Sequence, residues 1–245
     1  MELFENTITS LRDFLESFPY KRVWTEVSLP AWPRGGQRNI VMKEDLGLEL
    51  GSPDKESVAC LIWTENLARI SDGRITLVGP DFPESMDQSL PFGKAVLVGV
   101  EGFTEDNAYE RHRAMDLARY DLDLEGFMIR AVTQYMKEWC RISRNALLKG
   151  FSSRILASSL MDLLRREPYV RSVEVVFITS STGDVQELRG LLNPAGKIVA
   201  AMNKMAFETD FDCDDCEYQD VCADATELKR MHDRLRETQA RGVHG

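Results

Sequence analysis

The first apolar positions of the chain follow helical spacing. Between residues 3 and 18 they are Leu3, Phe4, Ile8, Leu11, Phe14, Leu15 and Phe18. Steps of three and four residues place such side chains on one face of an α-helix, and Pro19 ends it. Similar patterns predict helices over 104–120 (with Thr104 as N-cap), 127–149, 152–167, 184–192 and 196–208, and a polar helix over 226–241.

Other segments are short, apolar at most positions and bounded by turn residues. They are VACLIW (58–63), RITLVG (74–79), KAVLVGV (94–100) and VRSVEVVFIT (170–179). Such runs are typical of strands that are covered on both faces. A further strand is predicted over 23–29, before a loop over 29–37 that contains Pro, Gly and Trp. The pattern predicts an α/β (or α+β) fold, in which helices flank a mixed sheet and a helical, cysteine-rich segment follows.

The net charge of the chain limits the classes of partner that we expect it to bind. The chain has 40 acidic and 30 basic residues, and its formal net charge is -10. Because this balance repels phosphate backbones, we expect no nucleic-acid partner. The N-terminal segment has no basic stretch leading into an apolar one, and no run approaches the ~18 apolar residues of a membrane helix. We therefore expect a soluble, cytoplasmic protein without a membrane partner.

Three of the five cysteines lie within ten residues. Cys213, Cys216 and Cys222 have the spacing C-x2-C-x5-C, in a strongly acidic segment. Thiolates at this spacing can chelate one metal, and soft sulfur ligands select zinc or an iron–sulfur cluster. The fourth ligand stays open between His232, an aspartate of the turn, Cys140 and a partner molecule. The alternatives are three reduced surface thiols, or a redox C-x-x-C, which the acidic flanks disfavour.

Other polar residues have two interpretations each. Trp139 with Arg130, Arg141 and Arg144 could bind a nucleotide such as coenzyme A, or Trp139 could be a buried residue of the predicted helix. The segment 180–183 (SSTG) could bind an anion, although a helix N-cap is favoured. His112 is expected on a solvated helical face. Asp81 and Glu84 could form a carboxylate pair or simply belong to a surface turn.

Several segments, in order, resemble one known family. They are LVGPDF (77–82), LPFG (90–93), Trp139 with RIS (141–143) and NALLKG (145–150), VEVVFIT (173–179), and the cysteine turn about thirty residues later. Together they resemble the β subunit of the carbon monoxide dehydrogenase/acetyl-CoA synthase complex, from about residue 42 to residue 222. The resemblance implies three segments: an N-terminal helix and linker (1–38), an α/β domain similar to the family's central domain (39–180), and a helical segment with the cysteine turn (181–245).

The family joins a methyl group from a corrinoid protein, CO and coenzyme A at a nickel centre bridged to a [4Fe–4S] cluster. The resemblance therefore implies a [4Fe–4S] cluster at Cys213, Cys216 and Cys222, with zinc as the alternative. The family's nickel-binding Cys-Gly-Cys has no counterpart in the sequence, so no nickel ligand is assigned. We expect a truncated or divergent relative.

Two functions follow from this resemblance. In the first, the chain is an enzyme, an acetyl-CoA synthase-type acyltransferase of one-carbon metabolism that works with corrinoid or CO dehydrogenase-type subunits. In the second, it is a non-catalytic accessory subunit whose cysteine turn is a structural zinc or iron–sulfur clip.

Overall fold

The computed structural model describes residues 1–25, 31–36, 39–133, 136–207, 218, 227–228, 230–231 and 234. The helices are α1 (Glu5–Glu16), α2 (Ala108–Ala118), α3 (Arg144–Leu148), α4 (Ser153–Leu164) and α5 (Thr182–Phe207). The strands are β1 (Arg22–Thr25), β2 (Leu46–Leu50), β3 (Ser57–Thr64), β4 (Arg74–Val78), β5 (Gln88–Leu90), β6 (Phe92–Val100), β7 (Phe127–Val132), β8 (Glu138–Ser143) and β9 (Val170–Ile178). Short 3-10 turns lie at Leu67–Arg69, Phe82–Ser85 and Arg119–Asp121.

The larger sheet contains the apolar strands and is mixed. Its order is β1-β4-β9-β6-β3. The pairs β4–β9 and β3–β6 are parallel, whereas β1–β4 and β6–β9 are antiparallel. All residues of β3 and β6 are buried, as their continuous apolar character predicts. The predicted α/β class with a mixed sheet is therefore confirmed.

A second, smaller sheet has the order β5-β2-β8-β7. Strand β8 pairs antiparallel with both β2 and β7, and β5 pairs parallel with β2. Helices α1 and α5 contact each other, α5 packs on β3 and β6, and α4 packs on β9. Leu228 and Met231 join the same hydrophobic core from the C-terminal part of the chain. No described helix combines the length and the hydropathy that a membrane crossing needs.

The predicted helix over 127–149 is wrong. The segment forms β7, β8 and the five-residue α3, and burial along β8 alternates residue by residue. Alternation with a period of two is the signature of a strand that has two different faces. The buried side of β8 carries Glu138, which a sequence pattern counts as polar. This polar residue conceals the apolar alternation, so the segment was assigned the wrong periodicity.

Smaller differences have local causes. The segments 184–192 and 196–207 belong to the single helix α5, which continues through Pro194, and residue 208 lies outside the described residues. Helix α2 begins at Ala108 after Asn107 rather than after Thr104, because the Asn107 Oδ1 atom accepts the Thr104 N–H in a preceding turn at 2.9 Å. Of the predicted strand 23–29, the described residues form β1, and 26–30 lie outside them.

Candidate functional site

The predicted cysteine turn falls outside the residues that the structure describes. This applies to Cys213, Cys216, Cys222 and His232. One residue inside the motif, Tyr218, is described: it packs against the hydrophobic core, and the Lys204 Nζ atom lies 5.9 Å from its ring centre. Metal binding by the cysteines therefore stays a prediction.

The two described cysteines are buried thiols. Burial raises the pKa of Cys60 to about 12. Burial and the nearby Glu138 carboxylate also raise the pKa of Cys140, whose Sγ atom donates to Glu138 Oε1 at 3.6 Å. The described residues contain no group of three His, Cys, Asp or Glu side chains placed to hold a metal ion. Cys140 is therefore a protonated, enclosed thiol, and its role as fourth ligand stays a prediction.

The outward side of β8 carries an aromatic and cationic cluster, here called the Trp139 platform, formed by Arg130, Trp139 and Arg141. The guanidinium carbons of Arg130 and Arg141 lie 5.6 and 5.2 Å from the Trp139 ring centre. The Arg141 Nε atom also donates to Glu49 Oε1 at 2.8 Å, which fixes the side chain along β2. Contacts of this kind hold guanidinium groups in place beside an aromatic ring.

The structure corrects one interpretation of Trp139 and divides the predicted arginine set. Trp139 is half-buried on a strand, not fully buried on a helix. Its indole Nε1 atom is enclosed and has no hydrogen-bond partner among the residues that the structure describes. Arg144 does not join the platform, because its Nη1 atom donates to Asp87 Oδ2 at 3.0 Å. Two of the three predicted arginines therefore meet the tryptophan.

The inward side of β8 holds a charged pair that the sequence reasoning missed. The Lys94 ammonium of β6 forms an ion pair with the Glu138 carboxylate, and their side chains are only 6% and 1% exposed. Glu138 Oε2 also lies 3.8 Å from Arg119 Nη1. The available signal was a single lysine within the otherwise apolar run of β6, since a buried lysine requires an anionic partner.

His112 is not on a solvated face. Its side chain is buried beneath α2, where the ring stacks 6.4 Å from Phe4. Burial lowers its pKa to about 4, a nearby Asp116 opposes that shift, and Arg119 adds to it. His112 is therefore a neutral imidazole near pH 7. The prediction failed because the charged neighbours along the chain conceal that this helix position faces the core.

The remaining candidates act in local structure. Asp81 and Glu84 form a capping box around the 3-10 turn, and Glu84 also pairs with Arg22, which lowers the pKa of its carboxyl. Ser181 Oγ accepts the Asp184 N–H at 3.1 Å and so caps α5, as the N-cap interpretation predicts. Asp81 and Glu84 thus hold the turn between β4 and β5, and Ser181 holds the turn between β9 and α5.

Comparison with known proteins places this architecture in a family. Residues 35–183 match the model of the CO dehydrogenase/acetyl-CoA synthase complex beta subunit, which is more than half of the chain. The chain belongs to this family. The matched residues include the Trp139 platform, the Lys94–Glu138 pair and His112, and they end before the cysteine turn.

Members of the β-subunit family align with this chain over part of their length. The acetyl-CoA decarbonylase/synthase complex subunit beta of Archaeoglobus fulgidus is 30% identical over 144 residues, 57% of this chain and 26% of the relative. The corresponding subunit of Methanothermobacter thermautotrophicus is 31% identical over 151 residues, 60% of this chain and 31% of the relative. The alignments thus span about a quarter to a third of these β subunits.

Proposed function

We propose that this chain is a coenzyme A-binding component of acetyl-CoA decarbonylase/synthase-type chemistry, and that it carries an iron–sulfur cluster at Cys213, Cys216 and Cys222. The observation that supports coenzyme A binding best is the Trp139 platform, where two guanidinium groups lie against one tryptophan. The platform lies within the residues that match the β-subunit family. Subunits of CO dehydrogenase or corrinoid type are the proposed partners.

Coenzyme A suits this surface chemically. It carries phosphate groups and an adenine ring. Arginine presents planar, paired donors that match phosphate oxygens, and aromatic or guanidinium planes stack on bases. Arg130 is exposed and Arg141 is half-buried, so one guanidinium is accessible and the other is held by Glu49. A partly fixed arginine loses less conformational freedom when it binds a phosphate.

The donor set of the cysteine turn suits an iron–sulfur cluster. Three thiolates at C-x2-C-x5-C spacing are soft sulfur ligands, which also accept zinc. When bound, a [4Fe–4S] cluster would accept and release electrons, or would provide a metal centre that the cysteine thiolates hold. A bound metal lowers the pKa of these thiols, so the chain would hold the cluster through three thiolates. The fourth ligand would come from His232, Cys140 or an aspartate of the turn, or from a partner molecule.

Replacing Trp139 with leucine should weaken coenzyme A binding by about tenfold or more, and replacing Arg130 with glutamine should do the same. Each change removes a stacking or charge-assisted contact, which contributes on the order of 1.5–3 kcal/mol. Isothermal titration of the full chain with coenzyme A and with dephospho-coenzyme A measures the loss and the share of the 3′-phosphate.

Arg171→Gln is the matched control for this titration. Arg171 is an exposed arginine near the start of β9, the central strand of the larger sheet, and it pairs with Glu101, whereas β8 belongs to the smaller sheet. It should bind coenzyme A as the unchanged chain does. Equal affinity in the Trp139→Leu, Arg130→Gln and Arg171→Gln variants would remove the platform from the proposal.

Cys216→Ser should remove most of the bound metal, because the loss of one of three clustered thiolates breaks the chelate. Anaerobic analysis of iron, zinc and acid-labile sulfide in the full chain measures this loss of metal. We expect iron with sulfide in the unchanged chain and in a Cys60→Ala control, whose thiol is buried in β3. Full metal content in Cys216→Ser would contradict the site. Zinc without sulfide would favour the accessory-subunit function with a structural clip.

A further inference from the structure

Glu49 brings a negative charge to the Trp139 platform. It lies on β2, directly opposite Arg141 of β8 in the antiparallel register. Trp139 and Arg141 are two residues apart on β8, so their side chains lie on the same side of the smaller sheet, and the side chain of Glu49 lies there too. The carboxylate is therefore part of the surface that a ligand of the platform would meet.

Glu49 contacts Arg141 on one edge of the guanidinium group only. The Arg141 Nε atom donates to Glu49 Oε1 at 2.8 Å, and in the described part of the chain the Nη1 and Nη2 atoms have no hydrogen-bond partner. The side chains of Arg141 and Glu49 are 20% and 19% exposed, so solvent reaches both of them. The contact thus orients Arg141 beside the Trp139 ring and leaves its terminal nitrogens available to a ligand.

The two arginines of the platform differ in their surroundings. Arg130 is exposed, and no carboxylate of the described residues lies within ion-pair distance of it. The charge of Arg141 is offset by Glu49. A phosphate bound to the Nη atoms of Arg141 would lie about 5–7 Å from this carboxylate, because each hydrogen bond spans about 2.8 Å from the same guanidinium group. Like charges at such a distance repel each other.

We propose that Glu49 is a specificity-determining residue of the Trp139 platform: it positions Arg141 and limits the negative charge that the platform accepts. The proposal rests on the proposed binding of coenzyme A. A phosphate group at Arg130 meets no opposing carboxylate, whereas a phosphate group at Arg141 is opposed by Glu49. Phosphorylated ligands therefore bind more weakly than the two arginines alone would allow, and uncharged ligands are unaffected.

Glu49→Gln removes the charge and keeps the contact, because a glutamine Oε1 atom also accepts the Arg141 Nε–H. The variant should bind coenzyme A about three- to tenfold more tightly, as expected when one like charge is removed at this distance near a surface. Isothermal titration of the full chain measures the change. Adenosine, which carries no phosphate, should bind both chains equally. Selective ¹⁵N labelling of the four tryptophans measures its binding through the Trp139 indole signal.

Ionic strength separates an effect of charge from an effect of shape. Salt screens interactions between exposed charges, so the gain of Glu49→Gln for coenzyme A should shrink as the salt concentration rises from about 0.05 M to about 0.5 M. A gain that came only from a changed packing of the site would persist at high salt.

Two further variants complete the test, with circular dichroism confirming that each one folds. Glu101→Gln is the matched control, because the Arg171 Nε atom donates to Glu101 Oε2 at 2.7 Å in the same kind of contact on the larger sheet. It should leave the affinity for coenzyme A unchanged. Glu49→Asp keeps the charge but is one methylene shorter. It should bind coenzyme A no more tightly than the unchanged chain, since the repulsion stays and Arg141 loses its support.

Equal affinity for coenzyme A in the unchanged chain and in Glu49→Gln would overturn the proposal and leave coenzyme A binding itself in place. An equal gain for adenosine, a gain that high salt does not reduce, or tighter binding by Glu49→Asp would overturn it as well. The last result counts whether or not Glu49→Gln folds. If the unchanged chain bound no coenzyme A, the proposed function would fail, and the role of Glu49 with it.

Discussion

Replacing Lys94 with methionine should lower the free energy of unfolding by about 3–5 kcal/mol, because it leaves the Glu138 carboxylate buried without its ammonium partner. The two side chains are 6% and 1% exposed, so water cannot replace the lost contact. Methionine keeps most of the length of the lysine chain and its apolar packing. Urea unfolding of the full chain, followed by circular dichroism, measures the change.

The double variant Lys94→Met/Glu138→Leu separates the cost of a broken pair from the value of an intact one. With both charges removed, most of the stability should return, since a well-packed apolar pair often replaces a buried ion pair without loss. Lys149→Met is the surface control: Lys149 pairs with Glu125 at side-chain exposures of 49% and 41%, and such pairs contribute about 0–1 kcal/mol. If Lys94→Met costs no more than Lys149→Met, the buried pair has no special role.

Phe151→Ala should lower the free energy of unfolding by about 3–5 kcal/mol, because it opens a cavity in a cluster of aromatic rings. Phe151 is fully buried, and its ring centre lies 5.2 Å from Trp32, 5.7 Å from Phe127 and 6.4 Å from Phe82. The ring thus joins β7 of the smaller sheet to the turn that follows β4. Thermal and urea unfolding should both show the loss.

Leu148→Ala is the control for this cavity. Leu148 lies three residues earlier at the end of α3 and is 71% exposed. Its truncation should change stability by no more than about 0.5 kcal/mol. A small effect at Phe151, similar to that at Leu148, would mean that the surrounding rings close the cavity.

The strands of the larger sheet show which elements the local hydrophobic pattern predicts. The segments 58–63, 74–79, 94–100 and 170–179 were predicted as strands and form β3, β4, β6 and β9. Each is buried on both faces along most of its length, so most of its residues are apolar and the signal is contained within six to ten neighbouring positions. The order of these strands in the sheet, and the mixture of parallel and antiparallel pairs, have no such local signature.

The smaller sheet and the candidate sites show what the local hydrophobic pattern does not predict. Strands β7 and β8 were predicted as a helix, because the buried Glu138 interrupts the apolar alternation of β8. Lys94 and Glu138 are separated by 44 positions in the chain, and neither segment alone indicates the pairing. The sequence pattern indicates the three residues of the Trp139 platform, but only the fold brings them together across the bulge between β7 and β8.

The sequence by itself determined the apolar strands and the spacing of Cys213, Cys216 and Cys222, because each depends on residues close together in the chain. It also determined the α/β class and the membership of the β-subunit family, because these depend on the order of the segments. Only the tertiary structure decided that His112 is buried, that Lys94 neutralises Glu138, and that Glu49 lies opposite Arg141. Burial and charge pairing depend on which distant segments pack together, and that choice minimises the free energy of the whole chain rather than of any one segment.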